Sequence, residues 1–147
     1  MKNELNKILI EKFSRQIILK DIGIIGQKKI FSSKVLIIGA GGLGCPVAEY
    51  LSRAGIGKIG IVDNDKIELS NIHRQSLFGT PDIGKLKVEV VKNKIKLINS
   101  NTKVKAYKIR LNKKNFEKII NEYDYIVDGS DNFQTKFLLN DTCLKYK

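Results

Sequence analysis

The sequence predicts an α/β fold: a doubly wound, mainly parallel sheet behind an N-terminal helical segment. Three observations carry this. Lys34-Val35-Leu36-Ile37-Ile38-Gly39 and Lys58-Ile59-Gly60-Ile61-Val62-Asp63 are short, nearly continuous apolar runs, the pattern of parallel strands covered on both faces. A glycine-rich loop and a helix-length segment separate them, which makes a right-handed βαβ unit. Strand and helix patterns then alternate to the end of the chain, as a doubly wound sheet requires.

The elements follow in order. Residues 2–19 predict one amphipathic helix, with Leu5, Leu9, Phe13 and Ile17 at four-residue steps. Residues 21–26, with two glycines, read as a link, so 1–33 is expected to be helix and linker and 34–147 a nucleotide-binding domain. After the first strand, a helix runs from about Leu43 to Arg53 and Gly55 closes it. Lys85 to Ile98 predicts a helix, Lys103 to Tyr107 a strand, and Asn112 to Glu122 a helix capped by Asn112. Tyr123 to Asp128 predicts a strand, and Asn132 to about Tyr146 a last helix with Phe133, Phe137 and Leu138 inward. No further strand follows, so the second half of the sheet is expected to be missing and the C-terminus to be cut.

Composition bounds the function. A chain of 147 residues with 42% hydrophobic content is one domain with a real core. No apolar run approaches the ~18 residues of a membrane span, and the polar N-terminus is no signal peptide. Cys45 and Cys143 form no CxxC pair, which supports neither zinc nor a disulfide scaffold and fits a reducing cytoplasm. The net charge of +12 is mostly lysine spread along the whole chain rather than a phosphate track, so nucleic acid is not the expected partner. The arginines are few: Arg15, Arg53, Arg74 and Arg110.

Gly39, Gly41 and Gly44 fit G-x-G-x-x-G, with Gly42 extra. Following a strand and opening a helix, they predict a loop that lets backbone amides approach a phosphate or sugar. Asp63 lies where a carboxylate accepts from ribose hydroxyls. Asp65, two residues on, reads by itself as a solvated turn residue. These features alone would equally serve a dinucleotide oxidoreductase. The segment Ser70-Asn71-Ile72-His73-Arg74-Gln75 and Lys87 would not, because they bring amide, guanidinium and ammonium groups to neutralise a triphosphate and the pyrophosphate that leaves it. His73 alone reads as structural. Asp131, after the later strand, suits Mg²⁺ bound through one carboxylate and phosphate oxygens, or a helix cap. Arg15, alone, is an exposed helical arginine.

Together, Phe13-Ser14-Arg15-Gln16-Ile17-Ile18-Leu19, the GAGGLG loop at 39–44, Ala54-Gly55-Ile56-Gly57, Val62-Asp63-Asn64-Asp65, SNIHRQ at 70–75, Lys87 and DGSDN at 128–132 resemble the ThiF/MoeB/HesA family, bacterial relatives of ubiquitin-activating enzymes. The resemblance implies a Rossmann-like domain that uses ATP and Mg²⁺ to adenylylate the C-terminal Gly-Gly carboxylate of a ubiquitin-fold sulfur carrier, for molybdopterin or thiamin-thiazole synthesis. It implies nucleotide contacts from Gly41, Gly42, Asp63, Asp65, Ser70, Asn71, Ile72, His73, Arg74, Lys87, Asp131 and Asn132, with Mg²⁺ held through Asp131. Arg15, Arg74, Lys87 and Asp131 are the implied catalytic groups, with Arg15 reaching the ATP site of the second subunit of a homodimer. The family's carrier-docking half and its zinc-binding CxxC pairs have no counterpart here, so a non-catalytic nucleotide-binding or dimerisation module is the alternative reading.

Overall fold

A computed structural model describes residues 6–146. Four parallel strands, β1 (Lys34–Ile38), β2 (Lys58–Val62), β3 (Lys103–Tyr107) and β4 (Tyr125–Asp128), form one sheet in the order β3-β2-β1-β4. β1 is central, with Leu36 in register with Gly60 of β2 and with Ile126 of β4. Val35 and Ile37 face one layer with Ile59, Ile61, Ala48, Val88, Val91 and Ile95. Leu36 and Ile38 face the other with Val62, Phe116, Ile120, Tyr123 and Leu139. Burial on both faces is why the two apolar runs are continuous rather than alternating.

The first layer is covered by α4 (Gly44–Ala54) and α5 (Lys87–Ile98), the second by α6 (Lys113–Ile119) and α7 (Phe133–Tyr146). Chain order places β4 beside β1 instead of β3, so crossovers leave the sheet in opposite directions on either side of β1. That reversal opens a crevice at the carboxyl ends of the strands.

Several expectations change. The N-terminal helix is two pieces, α1 (Lys7–Lys12) and α2 (Ser14–Ile17), broken at Phe13 (φ −105°, ψ 13°). Phe13 is buried against Phe31, ring centroids 5.0 Å apart, and that contact turns the chain. Leu5 lies outside the described residues. The expected link is instead largely α3 (Gly23–Ser32); its two glycines disfavour a helix, but burial of Gln27 and packing of Ile30 and Phe31 outweigh them. α5 starts two residues late because Leu86 is extended and pairs with Lys66. On α7, Phe133 and Phe137 are 78% and 65% exposed, not inward. The buried face carries Leu139 and Thr142, with Cys143 and Tyr146 half-buried beside them. Apolar residues occur on both sides of this helix, so its periodicity does not select a face.

Candidate functional site: a cleft at the carboxyl ends of the strands

An open cleft of about 1510 Å³ collects residues from the carboxyl ends of all four strands: Gly39, Gly41 and Gly42 after β1, Asp63 and Asp65 after β2, Arg110 after β3 and Asp131 after β4. The glycines of the first loop divide into two kinds. Gly39 has φ +92°, and a Cβ there would lie 2.8 Å from the Gly129 carbonyl oxygen; a Cβ on Gly44 would fall on the carbonyl oxygen of Gly39. The fold itself demands those two. A Cβ on Gly41 would meet nothing nearer than 4.0 Å, and one on Gly42 would meet Arg74, its side chain at 3.5 Å and its carbonyl oxygen at 3.7 Å, ordinary contacts. Protein packing therefore does not require glycine at 41 and 42. Both line the cleft, where a side chain would occupy the space of a ligand lying along the loop and the N-terminus of α4.

Asp63 is held rigidly. Its Oδ2 accepts from the Ala40 N–H at 2.8 Å and its Oδ1 from the Asp65 N–H at 2.8 Å, which ties β2 to the glycine loop and leaves outward lone pairs for a hydroxyl. Asp65 is more than a solvated turn residue, because its Oδ2 lies 3.2 Å from Lys87 Nζ and its carbonyl accepts from the Lys87 N–H at 3.1 Å. Lys87 is only 7% exposed and is the first residue of α5. A buried cation at the positive end of a helix is unfavourably placed, so an anion must accompany it, and Asp65 does.

Of the Ser70–Gln75 segment, Asn71, Arg74 and Gln75 line the cleft. Asn71 is buried, its Oδ1 accepting from the Glu68 N–H at 3.1 Å. Arg74 lies over Gly42 and donates through Nη1 to the Ser70 carbonyl at 2.7 Å. Ser70, Ile72 and His73 fall outside the lining. Ile72 packs on the first core layer, Ser70 is exposed with its hydroxyl 3.3 Å from Glu68, and His73 is exposed with Nε2 3.0 Å from Arg74 Nη1. Side chains in this tight turn point in different directions, so only some of them face the cleft.

At the end of β4, Asp128 accepts from the Ser130 N–H and hydroxyl at 2.9 and 2.6 Å and from Lys136 Nζ at 2.9 Å. Partial burial pushes its carboxyl pKa up, but Ser130 and Lys136 more than offset this and hold it below the usual carboxylate range. Asn132 Oδ1 accepts from the Thr135 N–H at 2.9 Å and so caps α7. That leaves Asp131, in the cleft, with no protein partner among the described residues. Among the described residues, no group of three or more His, Cys, Asp or Glu side chains converges as a metal cage. A lone free carboxylate fits Mg²⁺ only in the mode in which phosphate oxygens supply other ligands.

Arg110 also lines the cleft; its position just past β3 obeys the same strand-end rule that selects Asp63, and was the signal available in the sequence. Arg15 does not line it. Its neighbour Gln16 donates to the carbonyl of Ala54, at the far end of α4 from the glycine loop, 3.1 Å away. Eleven residues of helix span about 16 Å, so Arg15 is remote from the cleft of its own chain. Cys45 is buried, its pKa pushed up to about 11 by desolvation, as suits a packing residue. No helix among the described residues is long and apolar enough to cross a membrane.

The ThiF family model matches residues 13–147. The chain belongs to the ThiF family. It is 47% identical over 145 residues to the adenylyltransferase and sulfurtransferase MOCS3 of Aedes aegypti, covering 99% of this chain and 33% of that protein. It is 42% identical over 135 residues to the sulfur carrier protein adenylyltransferase of Thermus thermophilus, covering 92% and 50%. Among solved structures, it resembles the E. coli tRNA N6-threonylcarbamoyladenosine dehydratase TcdA in complex with ATP, with TM-score 0.90 and 25% identity over 97% of this chain and 58% of that one. This ThiF-family chain thus spans about a third to a half of the length of the curated relatives named.

Proposed function

We propose that the cleft binds Mg-ATP and that the chain adenylylates the C-terminal Gly-Gly carboxylate of a ubiquitin-fold sulfur carrier, releasing pyrophosphate. The observation that carries this reading is the convergence of Asp63, Arg74, Lys87 and the unpartnered Asp131 on a loop whose Gly41 and Gly42 the fold does not itself require. The adenylyltransferase names of the relatives, and the ATP in the related TcdA structure, support it.

Asp63 accepts from the ribose hydroxyls, and Asn71, Arg74 and Lys87 contact the phosphates, Lys87 exchanging Asp65 for phosphate oxygen. Asp131 would hold Mg²⁺, which would further neutralise the phosphates. One carboxylate oxygen of the carrier forms a bond to the α-phosphorus as the bond to the bridging α–β oxygen breaks, and that electron pair leaves with pyrophosphate. The attacking carboxylate is already ionised at pH 7, so no base is needed; positioning and charge stabilisation carry the step. Arg15, remote from the cleft of its own chain, completes the site of the second subunit of a homodimer, as the family resemblance implies. The cellular setting is cytoplasmic, in molybdopterin or thiamin-thiazole synthesis.

Exchange of labelled pyrophosphate into ATP, dependent on a carrier ending in Gly-Gly, tests the proposal. Carrier-dependent exchange is expected. ATP binding with no exchange would leave a nucleotide-binding or dimerisation module.

A further inference from the structure

Gln75 closes the polar segment after β2. It is 2% exposed, and its backbone is fixed on both sides: its N–H donates to the Asn71 carbonyl and its carbonyl accepts from the Phe78 N–H, each at 3.0 Å. The side chain lines the cleft beside the glycine loop, Nε2 lying 4.0 Å from where a Cβ on Gly41 would stand. Oε1 is wholly buried without a partner, and the carboxamide makes no hydrogen bond to the protein among the described residues. A buried amide left in this state costs stability that an apolar side chain of the same shape would not. The fold therefore gives no reason for glutamine at 75.

We propose that Gln75 is a further nucleotide-binding residue: Nε2, the amide atom beside Gly41, donates to a phosphate oxygen lying along Gly41 and Gly42. The anion also sets the orientation of the amide. A half-turn of the carboxamide would present Oε1 to the phosphates, acceptor against acceptor, so a bound triphosphate selects the orientation with Nε2 toward Gly41. This inference rests on the reading of the cleft as an ATP site.

Calorimetric titration of Mg-ATP into the native chain, Gln75→Leu and Gln75→Glu, with melting temperatures taken without nucleotide, tests it. Gln75→Leu is expected to melt a few degrees higher, because the unpartnered amide is gone, and to bind Mg-ATP about tenfold more weakly. Gln75→Glu, which keeps the shape but sets a negative charge against the triphosphate, is expected to bind more weakly still. Equal affinity in all three chains overturns the proposal alone and leaves the ATP reading intact. A lower melting temperature for Gln75→Leu also overturns it, since the amide would then serve the fold; Gln75→Met, with a more adaptable side chain, repeats that measurement if Gln75→Leu does not fold. A native chain that binds no Mg-ATP overturns the ATP reading and this proposal together.

Discussion

Gln27 and Gln75 are both buried, 0% and 2% exposed, and stand at opposite ends of α4. At the C-terminal end, Gln27 Nε2 donates to the Ala54 carbonyl at 3.0 Å and Oε1 accepts from Gln16 at 2.7 Å. Nearby, Asn99 donates to the Ser52 carbonyl and Thr102 Oγ1 and accepts from Lys12, while Thr102 donates to the Ile56 carbonyl. Buried polar groups at that end are closed on one another. At the N-terminal end, the Gln75 carboxamide and the Asp131 carboxylate make no hydrogen bond to the protein among the described residues, and Gly41 and Gly42 leave space unfilled. One end of the sheet closes its buried polar groups on one another; the other leaves the Gln75 carboxamide and Asp131 for the nucleotide proposed above.

The strongest way to break this contrast is Arg74→Ala. Arg74 is exposed and, among the described residues, bonds only to its own turn. Its loss should leave the melting temperature nearly unchanged while lowering pyrophosphate exchange by roughly 10² or more; a folding defect of matching size would erase the distinction between the two ends. Asn99→Ala should do the reverse, costing about 2–3 kcal/mol in chemical denaturation because it orphans several buried groups, with unchanged Mg-ATP affinity per folded chain. Gln27→Leu is a narrower comparison, since the substitution expected to stabilise the chain at position 75 should here cost about 1–2 kcal/mol. Equal signs at 27 and 75 would collapse the contrast.

The smallest effect concerns acid. Asp128, whose carboxyl pKa is held down in the folded state by Ser130 and Lys136, contributes stability that is present above its unfolded pKa of about 3.9. That stability is lost as pH falls through this value toward the lower folded one. Denaturation at pH 7 and near pH 3 should show a smaller acid-induced loss in Asp128→Asn than in the native chain.

Much of this was legible in the residues. Lys34–Ile38 and Lys58–Val62 were readable as strands because a strand buried on both faces has no polar positions to hide it. Asn112 was readable as a cap because its Oδ1 can reach only the amides just ahead, and it accepts from Asn115. Helix α3 was not, since Gly23 and Gly26 spoil the local signal and the deciding contacts come from Phe13 and Ala54. Similarly, the sequence offered Asp131 as a cap of α7; the geometry gives the cap to Asn132 and frees Asp131.

The sequence by itself determined the strand–helix order, the glycine loop and the polar segment behind it, because each depends on residues close together in the chain. Only the tertiary structure decided that Lys87 is matched by Asp65, that Ile72 turns into the core while Arg74 reaches the cleft, that Phe133 and Phe137 stay outside, and that the Gln75 carboxamide lacks a partner among the described residues. Those are questions of which distant atoms share a desolvated space, and sheet order and helix packing settle them.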